Sequence, residues 1–242
     1  MKSLTIAGVG PGNPSLITLA AVEAIRESTV VSYPVSIKGG ESLAEKIASK
    51  WITKDKKKLP LYFPMVDDQK ILKSAWGVAG NNLIKMVEKG ERVVFLSQGD
   101  SSLFSTGSYL SKQLEKYHPD CLVKLIPGVT SFSAAAAKTK LPLALQDEQL
   151  LVVPMPDSSE ELKVILSEAA LLKRVVVLLK LGKKWTWVKP LLKELDLLES
   201  SIFLERIGFA DQRISRASDL SSESRPYFSL LLIRQGWPSI MP

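Results

Sequence analysis

The apolar run Val93-Val94-Phe95-Leu96 ends in Ser97-Gln98-Gly99-Asp100 and turns through Ser101, Ser102, Ser105 and Thr106 toward a helical segment at Tyr109-Leu110. A buried strand that breaks where the chain passes into a helix is where an open α/β sheet presents its binding crevice. Glycine lets a ligand approach the backbone closely, and the aspartate puts one charge at the mouth. An ordinary strand-to-helix loop with an N-cap uses the same residue types, so this stretch alone leaves both readings open. A second stretch, Pro127-Gly128-Val129-Thr130-Ser131, turns the chain and starts a helix of small residues. The start of such a helix offers free N–H groups, though tight helix–sheet packing would need the same small side chains. A third, Gly8-Val9-Gly10-Pro11-Gly12, lacks the final spacing of a dinucleotide fingerprint and the Lys-Ser/Thr of a P-loop.

The chain has 242 residues but one histidine, His118, and one cysteine, Cys121. Together they do not make a typical structural zinc site. His118 lies in the turn-like Lys116-Tyr117-His118-Pro119-Asp120, which argues against a Ser-His-Asp or Cys-His mechanism. The chemistry is expected to need neither metal nor histidine. Cys121 sits in an apolar run and reads as a small buried hydrophobe. No apolar run approaches the roughly 20 residues of a membrane helix, and a strand pattern starts at Leu4. A cytoplasmic protein with no membrane partner is expected. The formal net charge is +7, densest at Lys54-Asp55-Lys56-Lys57-Lys58. That cluster is either a solvated loop or an attractor for an acidic partner. With 7% aromatics and no RNA-reading motif, a small polyanion is favoured over nucleic acid.

The elements that must position these residues alternate. Strands are expected at 4–8, 29–33, 93–97 and 121–126, with 59–65 extended between prolines. Helices are expected at 18–26, 41–50, 67–88 and 109–117. Leu19, Val22 and Ile25 share one helical face, and Pro34 should stop the second strand. After a helix near Ser131, strands are expected at 150–154, 174–180, 201–206, 211–217 and 226–233. Helices fall at 159–172 and 185–195, with Pro190 limiting how early the last can begin. The pattern gives an α/β protein of two lobes, 1–127 and 128–242, each a mostly parallel or mixed sheet flanked by helices.

The glycine loop with Ile17-Thr18-Leu19-Ala20-Ala21, the Gly99-Asp100 turn and Ile126-Pro127-Gly128-Val129-Thr130-Ser131, in this order, resemble the tetrapyrrole methylases, which use S-adenosylmethionine. Ser32-Tyr33-Pro34-Val35, Phe63-Pro64-Met65, Leu103-Phe104-Ser105-Thr106-Gly107, Asp147-Glu148-Gln149-Leu150 and Pro226-Tyr227-Phe228-Ser229 are similar to the branch that methylates C20 of precorrin-2 in cobalamin biosynthesis. The resemblance spans essentially the whole chain. It implies a homodimer with the methyl donor in a cleft between lobes and a reduced, carboxylate-rich tetrapyrrole as acceptor. Donor contacts carry over to Pro11, Gln98, Gly99, Asp100, Leu103, Thr130 and Ser131, and in the second half to Lys180, Leu181, Gly208 and Ser229. Asp100 is the candidate for orienting the donor or accepting a proton. Lys180 and Arg206, at strand ends, are candidates for the substrate's carboxylates or are simply exposed charges. One departure stands out: the family usually has proline after Gly-Asp, where this chain has Ser101. Proline at 101 is therefore expected to be tolerated, or to stabilise by about 0.4–1 kcal/mol. A sister methylase acting on another ring carbon or on the cobalt-containing substrate, a nucleic-acid or protein methylase of the same fold, and a basic non-enzymatic binding module remain open.

Overall fold

The computed structural model describes residues 3–238. The chain forms two compact units, Met1–Thr130 and Ser131–Pro242. In the first, β1 (Ser3–Gly8), β2 (Val30–Val35), β3 (Lys57–Tyr62), β4 (Val93–Ser97) and β5 (Leu122–Ile126) form a parallel sheet in the order β3-β2-β4-β1-β5. Helices α1 (Leu19–Glu27), α2 (Leu43–Ala48), α3 (Gln69–Glu88) and α4 (Thr106–Tyr117) connect the strands. β1 and β4 are central neighbours, so every residue of β4 is buried and its sequence is continuously apolar up to Ser97. Their register sets Gly8 opposite Ser97, which places the glycine loop beside the Gly-Asp turn.

Two expectations change here. Leu19 is 81% exposed, and α1 buries Ala21, Val22 and Ile25 instead. As the first helical residue, Leu19 points off the stripe while Thr18 caps the helix by accepting the Ala21 N–H. β2 also runs through Pro34 to Val35. It pairs with β4 only from Val30 to Ser32 and with β3 throughout, so Pro34 lies beyond the reach of β4 and its missing N–H breaks no ladder there.

The second unit contains α5 (Ser131–Thr139), β6 (Gln149–Pro154), α6 (Ser159–Leu171), β7 (Arg174–Leu179), α7 (Trp185–Glu194), β8 (Ser201–Glu205), β9 (Arg213–Arg216) and β10 (Ser229–Ile233). Its sheet has the order β6-β7-β10-β8-β9 and is mixed: β6 and β7 are parallel, and the other pairs are antiparallel. The carboxyl ends of β7 and β8 therefore meet the amino end of β10 on one edge. Pro190 lies inside α7, which starts at Trp185 as expected. Its ring removes a bond to the Thr186 carbonyl; both residues are exposed, so water can serve that carbonyl. β10 starts at Ser229, leaving Pro226, Tyr227 and Phe228 as an exposed approach. Among the described residues no helix is long and apolar enough to cross a membrane.

Trp185 ties α7 to that approach. It is fully buried, packs on Phe203 with ring centroids 4.5 Å apart, and donates its Nε1–H to the Ser221 carbonyl at 2.9 Å. Trp185→Phe keeps most of the apolar contact and orphans that carbonyl, so it should destabilise the protein by about 1–2 kcal/mol. Urea unfolding checks this; an unchanged midpoint would mean the bond holds nothing.

Candidate active site

At the carboxyl ends of β1, β4 and β5 three glycine backbones touch. A Cβ placed on Gly8 would lie 2.7 Å from both the Gly128 nitrogen and the Gly99 carbonyl oxygen, and one on Gly128 would overlap that same oxygen outright. Gly10 and Gly99 exchange backbone hydrogen bonds of 3.2 and 2.8 Å, joining the glycine loop to the Gly-Asp turn, with Pro11 buried behind them. Gly99 has φ +71°, a conformation glycine adopts freely, and a Cβ there would meet nothing within 4 Å. The turn thus presents bare backbone to open space.

Asp100 locks this junction. Its Oδ2 accepts the Gly128 N–H at 2.8 Å; its Oδ1 accepts the Ser102 N–H at 2.8 Å and the Ser102 hydroxyl at 2.5 Å. Burial pushes the Asp100 carboxyl up. The hydrogen bonds from the Ser102 hydroxyl, the Gly128 amide and the Ser102 and Ser101 amides together outweigh it and hold the pKa below the ordinary carboxylate value. A carboxylate in this state is a firm anchor and a weak proton acceptor.

Ser101 is buried and donates its hydroxyl to the Ile126 carbonyl at 2.9 Å, the end of β5. Its carbonyl accepts the Ser108 hydroxyl at 3.1 Å. Ser105 caps α4 by accepting the Gly107 N–H and shares a 2.5 Å hydrogen bond with Ser97. The small hydroxyl residues are thus cross-links between strand ends. Leu103, a sequence candidate, is exposed, as is Phe104, whose φ of 48° is left-handed. Gln98 and Thr130 are half-buried, and Ser131 is the half-buried first residue of α5.

The second unit gathers its candidates at the shared edge. Lys180, just past β7, has φ 63° and donates its N–H to the Ser229 carbonyl at 3.0 Å; its side chain is exposed. Leu181 is buried in the core of this unit. Ser229 is buried: its hydroxyl accepts the Gly182 N–H at 3.2 Å and donates to the Pro226 carbonyl at 2.8 Å. Gly208 has φ +88° and donates its N–H to the Gln212 side chain at 3.0 Å. Arg206, past β8, has φ 47°, pairs with Asp211 at 2.7 Å and stacks over Phe209 at 4.8 Å. So Leu181 and Ser229 spend their side chains on the fold, and Lys180 carries an exposed charge. Two non-glycine residues in left-handed backbone, past the ends of β7 and β8 on either side of β10, mark this edge as held in a demanding shape. Sequence reading missed the contact roles of Gly8 and Gly128, which only the strand register brings together. It also missed Ser102, whose spacing of two from Asp100 is that of an Asx turn. Among the described residues, no group of three or more His, Cys, Asp and Glu could hold a metal ion.

Comparison with known proteins identifies the class. The family of tetrapyrrole (corrin/porphyrin) methylases matches residues 3–220, and the chain belongs to that family. It is 31% identical over 230 residues to a cobalt-precorrin-2 C(20)-methyltransferase of Salmonella typhimurium, covering 94% of each chain. It is 27% identical over 239 residues to a precorrin-2 C(20)-methyltransferase of a Sinorhizobium species, covering 95% of this chain and 94% of that one. A uroporphyrin-III C-methyltransferase from Thermus thermophilus, solved in complex with S-adenyl homocysteine, has the same fold, with a TM-score of 0.61 at 21% identity over 95% of this chain and 96% of that one.

Two outcomes test the junction. Ser101→Pro was expected to be tolerated, but proline removes the hydroxyl that reaches Ile126 and the amide that faces Asp100. It should now cost about 1–2 kcal/mol, read as a lowered urea midpoint; a gain would mean the serine contacts carry no weight. Asp100 has a depressed folded pKa, so its contribution is present above the unfolded value of about 4 and is lost as pH falls through the folded one. The stability gap between the wild type and Asp100→Asn should be constant near neutrality and should close in acid. A gap that widens in acid would contradict the ionised anchor.

Proposed function

We propose that this chain transfers a methyl group from S-adenosylmethionine to C20 of precorrin-2, giving precorrin-3A in cobalamin biosynthesis. The observation that carries the reading is the alignment, 31% identical and end to end on both sides, with a protein named for C20 methylation of cobalt-precorrin-2. The Sinorhizobium relative is named for the metal-free substrate. The cobalt complex is therefore the second reading of the acceptor.

The site chemistry fits a donor. Gly99 offers bare backbone and open space at the turn, and no Cβ crowds it. Pro11, Gln98, Asp100, Leu103, Thr130 and Ser131 are assigned to holding the donor in the first and linking segments. Lys180, Leu181, Gly208 and Ser229 are assigned to it in the second unit, Leu181 and Ser229 through their backbone because their side chains are occupied. When bound, the sulfonium supplies an electrophilic methyl carbon. Asp100 keeps the turn in shape and leaves proton transfer to another group, since both its carboxylate oxygens are engaged by the fold. Orientation is then the main tool. Holding two reactants in line is worth on the order of 7–11 kcal/mol, which suits a site whose nearest histidine is an exposed-side hydrogen-bond partner of Asn81. The +7 charge suits a polycarboxylate acceptor, and 7% aromatics with no RNA-reading motif favour it over RNA. Homodimer formation, the absence of any metal requirement and a cytoplasmic location belong to the same reading.

The test is a methylation assay with precorrin-2 and its cobalt complex side by side, with the product's methylated carbon located by NMR. Methyl transfer to C20 of either is expected. Transfer to a different carbon, or to neither macrocycle, would sink the proposal. Sedimentation of the same sample checks for a dimer.

A further inference from the structure

The edge where β8 passes into β9 holds a cavity of about 340 Å³ that the donor assignments do not use. Glu205, Arg206, Asp211, Arg213 and Arg225 line it together with Ser224 and Pro226. This is near the small end of the roughly 300–1,000 Å³ of ligand pockets, so it suits a side arm and not a whole macrocycle. Three guanidinium groups face two carboxylates, and the groups differ in how firmly they are engaged.

Arg206 is bound to Asp211 at 2.7 Å and stacked on Phe209. Arg213 stands opposite Glu205 in the β8–β9 register, is exposed, and has no ion-pair partner among the described residues. Arg225 is the unusual member. Its Nη2 donates to the Ser221 carbonyl at 3.3 Å and the Ser221 hydroxyl at 3.1 Å, and its Nη1 is 3.5 Å from Glu205 Oε1. The side chains of this pair are only 15% and 8% exposed. Yet Glu205 Oε1 and Arg225 Nε are both buried without a hydrogen bond among the described residues. A sealed ion pair with a long contact and an orphan atom on each side gains little for its desolvation. The Arg225 Nε–H remains a donor that a better-placed acceptor could satisfy.

We propose that Arg213 and Arg225 form a subsite for one carboxylate arm of the acceptor macrocycle, with Glu205 holding Arg225 in reserve and competing with the incoming carboxylate for it. The inference rests on the polycarboxylate acceptor of the proposed function. Planar guanidinium groups match carboxylates in two-point geometry. The donor carries a single carboxylate, whereas the macrocycle is rich in them, so the acceptor is the partner that needs such a subsite. Glu205 is a positioning residue here, and its removal has an unusual sign: neutralising it should free Arg225 and tighten binding.

The experiment titrates the full chain with uroporphyrin III, an octacarboxylate macrocycle, by fluorescence, and in parallel with S-adenosylhomocysteine by calorimetry. Arg213→Gln, an exposed substitution, should raise the porphyrin Kd about tenfold and flatten its salt dependence. Glu205→Gln should lower that Kd about threefold. Neither should move the S-adenosylhomocysteine Kd. Unchanged porphyrin binding in both variants, weaker binding in Glu205→Gln, or a parallel change in S-adenosylhomocysteine binding each overturns the subsite while leaving the methylase reading intact. A wild type that binds no carboxylated macrocycle overturns the acceptor reading itself, and this inference with it.

Discussion

Gly8, Gly99 and Gly128 bring three backbones into direct contact at the ends of β1, β4 and β5, and no Cβ fits between Gly8, Gly128 and the Gly99 carbonyl. The rest of the first unit is arranged to keep that contact. The parallel register of β1 with β4 and β5 aligns the strand ends. The Gly10–Gly99 bridge closes one side and the Asp100–Gly128 bond closes another. Ser101 and Ser105 fasten the turn to β5 and β4. A loop assembled in this way reorganises little when a ligand arrives, which is what a reaction run on orientation requires.

The second unit solves a different problem. It must place charges at a sheet edge without letting them collapse onto one another. Arg206 is tied to Asp211 and Arg225 is steadied by Ser221. Trp185 in turn anchors Ser221 from the core. The position of the edge charges therefore depends on a tryptophan whose ring lies among Phe203 and its aliphatic neighbours. Packing and electrostatics are not separable here, because the loop that carries Arg225 is tied down by the Trp185 indole, by the Arg225 amide on the Gly182 carbonyl and by the Ser229 hydroxyl on the Pro226 carbonyl.

Much of this was legible in the sequence. Alternating apolar runs and amphipathic segments gave the α/β class and most elements, and the Gly-Asp pair at a strand end marked the turn. The misses share a cause. Leu19 and Pro34 each follow a local rule whose force depends on what lies alongside: a helix start facing solvent and a strand whose neighbour ends early. The Ser101 contact to Ile126 spans 25 residues of sequence, and the Glu205–Arg225 pair spans 20. Neither has a local signature. Glycine spacing hinted at backbone contact, but which glycines touch is set by strand order, and that order becomes visible only when the sheet is assembled.

Among the described residues β10 is the last strand in sequence, and it is also the middle of its sheet, flanked by β7 and β8, with all five residues buried. During synthesis the first unit has its full set of strands once Ile126 has emerged. The second cannot join β7 to β8 until Ser229–Ile233 arrives, because β10 is the strand between them. On the ribosome, β7 and β8 must therefore wait with unpaired edges and apolar faces while about fifty more residues are made after β7, at the usual 5–20 residues per second. The nascent second half is the vulnerable stage of this molecule. A premature stop just before Ser229 would remove the keystone of that sheet rather than trim its margin.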